Sequence, residues 1–222
     1  MDTITTASIK IRPWSENLWF SPRYVINELT QSIRSGNKKN IKRNKEAWIC
    51  AVAIICHSKI RNEEWWIQVP QKDPPDVLAM KLVPNIKGSG ENISLLLVEV
   101  FEISAHDKES IEKSIERKLG VKDYSGMTLI GFVRREGIFD HENVATYIQK
   151  LKPKVLCVIL IVSEEKSTNF SYIQLFPECV KFKYDFGLFC KTTKQRDFIE
   201  LRRGTKTKKD DAITNDKLTL IP

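Results

Sequence analysis

Between Trp65 and Ile103 two acidic residues stand where a buried strand should be apolar: Asp76, after a Pro-Pro pair, and Glu99, inside the run LLLVEVF. A carboxylate in such a run costs several kcal/mol unless it is paired or binds a cation. Two of them on neighbouring strands would form a corner of hard oxygens suited to a divalent metal. Each also has an ordinary explanation. Asp76 can cap backbone amides at a strand edge, and Glu99 can be half of a buried ion pair with a lysine or arginine. Buried ionisable groups gather at functional sites without being confined to them, so both accounts stay open at this point.

The surrounding pattern sets the scaffold. LLLVEVF, nearly unbroken in its hydrophobicity, predicts a strand covered on both faces, as in a sheet sandwiched by helices. Ser21-Pro22 opens a helix ended by Gly36, and EAWICAVAIICHSKI (46–60) reads as a second, largely buried helix with Glu46 in its first turn. Three strands follow, Trp65–Val69, Asp76–Leu82 and Ile93–Ile103. Ser104 with Asp107 resembles a capping box opening a helix over His106–Leu119. A strand at Met127–Val133, a helix at 141–151 and a strand at Val155–Val162 then alternate, which implies parallel crossover connections. The expected class is α/β: a central mixed sheet of about five strands flanked by helices, plus a C-terminal β-rich extension built on a 170–184 hairpin. The chain divides into an N-terminal arm and helix (1–43), the α/β core (44–163), the β-rich extension of the same domain (164–203) and a basic flexible tail (204–222).

Charge narrows the partners. A net charge of +8 favours nucleic acid first and an anionic membrane surface second, or else describes a basic surface that binds nothing. The stretch NKKNIKRNK (37–45) is either a solvated linker or a loop contacting phosphates through Lys38, Lys39, Lys42, Arg43 and Lys45. A second basic run covers 202–209. Five cysteines with no CxxC pair point to a reducing compartment, hence a cytoplasmic location, and the three histidines have no zinc-ligand spacing with them. No signal-peptide pattern and no apolar run near the ~20 residues of a bilayer span are present, so no membrane role is expected. Gly-rich phosphate loops, nucleophile elbows and metalloprotease helix motifs are absent too.

From about residue 44 to 162 the order is helix, three strands, helix, strand, helix, strand. With Glu46 at the helix start, Pro-Pro-Asp76 on the second strand and Glu99 on the third, this resembles the PD-(D/E)XK nuclease superfamily, the restriction-endonuclease-like group. The resemblance implies phosphodiester hydrolysis of DNA with Mg²⁺ (or Mn²⁺), Asp76 and Glu99 as metal ligands, and Glu46 as a further catalytic carboxylate. The family lysine, two residues after the Glu, falls on Phe101. Residues two apart in a strand share a face, and a phenyl ring can neither orient a water nor stabilise developing charge. Lys45 is the nearest substitute, while Glu102 should face the other side of the sheet. Two functional expectations follow: a metal-dependent DNA endonuclease, or a catalytically silent nuclease-fold protein that binds nucleic acid or a protein partner through its basic surface. Homodimerisation through the 170–190 hairpin is a third possibility.

Overall fold

The computed structural model describes residues 18–34, 41–70, 74–84, 91–104, 106–134, 139–163, 169–185 and 196–201. A short strand β1 (Leu18–Phe20) leads into helices α1 (Pro22–Arg34) and α2 (Ile41–Arg61). Strands β2 (Trp66–Gln68), β3 (Val77–Pro84) and β4 (Glu91–Ile103) form an antiparallel meander. Helix α3 (Ile111–Val121) carries the chain to β5 (Thr128–Val133), and α4 (His141–Lys150) carries it to β6 (Cys157–Ser163). Both crossovers return the chain parallel to the preceding strand. Antiparallel β7 (Asn169–Phe176) and β8 (Val180–Asp185) extend one edge, and β9 (Phe198–Glu200) pairs with β1 at the other.

The molecule is α/β, but its sheet is larger than the sequence pattern implies: nine strands in the order β8-β7-β6-β5-β4-β3-β2-β1-β9, not about five. The reason is local. β1 and β9 have three residues each, too few to show a period of two, and the β7–β8 hairpin joins the edge of the same sheet.

Strand parity divides the core. On one face Val77, Ala79, Val98, Val100, Ile130, Phe132, Ile159 and Ile161 pack against α1 and α2. On the other, Ile103, Leu129, Val133, Val158 and Leu160 pack against α3 and α4. Even-numbered positions of β4 therefore look towards α2 and odd-numbered ones towards α3.

Two helix starts differ from expectation. α2 begins at Ile41, so Lys42, Arg43 and Lys45 lie on its first turns instead of in a loop. Lysine and arginine are good helix formers, and a lack of apolar residues does not prevent a helix that is anchored further along. Ser104 and Asp107 do interact, Asp107 Oδ2 accepting from the Ser104 N–H at 2.6 Å. That contact makes a turn, and α3 starts later, capped by Ser110, whose side chain accepts from the Lys113 N–H. No described helix is long and apolar enough to cross a membrane. The arm 1–17, Lys38, Lys39, the 202–209 run and the tail 204–222 lie outside the described residues.

Candidate functional site

Glu99, on the α3 side of β4, is 4% exposed. Its Oε1 is 3.0 Å from Lys118 Nζ and 3.1 Å from Lys122 Nζ. Lys118 lies in the last turn of α3 and Lys122 is the extended residue that ends it, and both reach the same oxygen. Both also lie over the Tyr124 ring, 5.1 Å from its centroid. Burial pushes the Lys118 ammonium down, but hydrogen bonds to Tyr124 and Glu99 outweigh it and hold its pKa above the ordinary lysine value. Phe101 shares this face, among the residues packed on the α3–α4 core. Gly131 on β5 makes room for its ring: a Cβ there would come 2.7 Å from Phe101 Cζ and 2.7 Å from Leu160 Cδ2.

Asp76 just precedes β3. Its Oδ2 accepts from the Val100 N–H at 2.8 Å, tying the start of β3 to the middle of β4. Its charge reaches the α2 side, where burial first and Asp76 second raise the pKa of the Cys50 thiol far above its usual value. Glu46 lies one turn before Cys50 on α2 and pairs with Lys42 at 3.4 Å. Extending the β3–β4 register from Val77↔Val98 puts Asp76 level with Glu99. From those adjacent backbone positions Asp76 takes the Val100 N–H and Glu99 takes the two lysines.

A second charged cluster occupies the α2 side, at the carboxyl ends of parallel strands β4 and β5. Glu102 Oε2 accepts from Lys45 Nζ at 2.5 Å and is 4.0 Å from Arg134 Nη1. Lys45 comes from α2, Glu102 from the end of β4, and Arg134 directly follows β5. Trp48, almost one turn after Lys45, packs edge-on against Phe132 at 5.8 Å and Phe170 at 5.9 Å. Those ring contacts fix the start of α2 over the strand ends. Lys42 and Arg43 stand exposed on the first turn, which has no acidic residue of its own, and Glu46 on the next turn pairs with Lys42.

The expected metal corner thus meets a concrete obstacle. Two ammonium groups hold Glu99 Oε1, and among the described residues no group of three or more His, Cys, Asp or Glu side chains is arranged to hold a metal ion. The other oxygen, Glu99 Oε2, is buried with no hydrogen-bond partner among the described residues. Pattern reading does not single out Lys118 and Lys122 at the end of a crossover helix. Parity gives the side of the sheet for Glu102, and Lys45, expected as the substitute for the family lysine, pairs with Glu102 on that side and not with Glu99. Arg134 has no marker beyond its place after an apolar strand. Comparison with protein-family models, with curated proteins and with solved structures returns no match.

Proposed function

We propose that the chain is a nuclease-fold protein that binds nucleic acid, DNA in the first instance, through the basic corner at the start of α2, without metal-dependent cleavage at Asp76 and Glu99. The restriction-endonuclease-like assignment draws support from the order α2-β2-β3-β4-α3-β5-α4-β6, which follows that superfamily's core. The observation that carries the functional reading is the fate of Glu99. Its Oε1 is paired with Lys118 and Lys122, and Phe101, in place of the family lysine, is partly buried against the apolar core.

What remains is charge in a useful place. Lys45 and Arg134 stand at the carboxyl ends of β4 and β5, the region of an open α/β sheet where ligands collect, and Lys42 and Arg43 lie on the first turn of the same helix. With +8 overall, the protein attracts polyanions at long range, and the attraction weakens as salt screens it.

The test is paired. Gel-shift with duplex and single-stranded DNA at low salt should show binding that needs no divalent ion. Incubation of plasmid DNA with Mg²⁺ or Mn²⁺ should leave it intact. Cleavage abolished by Asp76→Ala and by Glu99→Ala would overturn the reading in favour of a metal-dependent endonuclease.

A further inference from the structure

The cluster of Lys45, Glu102 and Arg134 has an odd construction for a surface that recruits phosphates. A carboxylate from β4 lies where two cations from different elements converge, at the end of the sheet where α2 begins. Lys45 Nζ is 2.5 Å from Glu102 Oε2 and Arg134 Nη1 is 4.0 Å from it. Each side chain stays accessible: 33% for Lys45, 34% for Glu102 and 58% for Arg134. None of the three is committed to the core, so the group can rearrange without disturbing it.

An exposed carboxylate–ammonium pair contributes little to stability, so packing does not explain the arrangement. A carboxylate and a phosphodiester both present anionic oxygens to the same donors. We infer that Glu102 is an internal anion standing in for a nucleic-acid phosphate at this corner: a backbone phosphate displaces it and takes over Lys45 and Arg134. The inference rests on the nucleic-acid reading above and adds to it the residue that sets affinity. Glu102 lowers the attraction of the corner for any polyanion. Only a ligand that also engages Lys42 and Arg43 on the neighbouring turns gains enough to displace it. The device favours an extended chain of phosphates over a single free one.

Glu102→Gln keeps the shape and removes the charge. Binding of a fluorescein-labelled duplex oligonucleotide to the full chain, followed by anisotropy across a NaCl series, should tighten by roughly threefold to tenfold. The slope of log K against log salt should steepen by about one unit, because in wild type the displaced Glu102 takes up about one cation and so cancels one released from the phosphates. In Glu102→Gln/Lys45→Met the gain should disappear, and circular dichroism melts check that all variants fold. Inorganic phosphate, titrated as a competitor, should displace the oligonucleotide poorly from wild type. Oligonucleotide binding that is lost in Lys42→Glu/Arg43→Glu but unchanged in Glu102→Gln overturns this inference and leaves the basic-corner reading standing. A gain in Glu102→Gln for inorganic phosphate but not for oligonucleotide also overturns it. No binding by wild type and Glu102→Gln alike removes both.

Discussion

At Glu99 the cost of burying a charge is offset by two lysines on one oxygen, and the carboxylate thereby fastens the end of α3 to β4. Removing it leaves Lys118 and Lys122 facing an apolar wall. Breaking a buried pair costs about 3–5 kcal/mol. Lys118 and Lys122 keep 20% and 36% of their side chains exposed and can turn to water, so Glu99→Ala should lose about 3 kcal/mol, the low end of that range. Urea unfolding measures this, and Lys118→Met in the same background should recover part of the loss. One histidine titrates with the fold. Burial, reinforced by Arg61 and Lys81 against the opposing effect of Glu63, lowers the His57 pKa below its usual 6.5, with the ring edge-on to Trp65 at 5.6 Å. The unfolded chain therefore binds the proton more readily. The stability that goes with neutral His57 is present above about pH 6.5 and is lost as pH falls below it. Thermal melts between about pH 7.5 and pH 5.5 should show a decline that His57→Phe flattens. Glu63, whose bonds to Lys81 and Trp65 overcome burial and lower its pKa, acts in a separate, more acidic window.

Elements explain how much of the fold and of the site is legible in the sequence. Long elements announce themselves. β4, β5 and β6 and helices α1 and α4 follow apolar patterns that place them to within a few residues, and the parallel crossovers come with the alternation. What stays hidden depends on partners distant in sequence. β9 pairs with β1 across almost the whole chain, with Phe20 opposite Phe198, and three-residue strands carry no pattern of their own. Parity predicts that Glu99 and Glu102 face opposite sides, but not that α3 presents two lysines to Glu99. That requires knowing where a helix ends in space. The fit between β4 and β5 is equally invisible, since Gly131 reads as a neutral residue until Phe101 lies against it. Gly131→Ala should cost about 1–3 kcal/mol through overpacking, read as a lowered melting temperature. Phe101→Leu in the same chain should recover much of it.

Taken as a whole, the molecule sets its charge and its apolar surface apart. Two helical layers cover the middle of the sheet; Cys50 and Cys56 are small buried packing groups of α2, and Cys157 on β6 is partly buried against the same core. Burial raises the Cys56 and Cys157 thiols to about 12, so both stay protonated at neutral pH. Peptide mapping after brief treatment with a thiol reagent should find Cys179, which is exposed, modified and these three untouched until the protein unfolds. Apart from the buried Glu99 cluster, charge gathers at the corner where α2 meets the ends of β4 and β5, with Lys45 and Arg134 on Glu102 and Lys42 and Arg43 on the first turn of α2. If that corner holds phosphates, the dependence of DNA affinity on salt belongs to it. The most direct measurement compares that dependence for wild type and for Lys42→Glu/Arg43→Glu/Arg134→Glu by anisotropy of a labelled duplex. The account predicts that the variant loses most of its low-salt affinity and that its log–log slope flattens by about two to three units, somewhat under one unit for each phosphate no longer neutralised. A variant that binds as tightly as wild type with the same slope would contradict it.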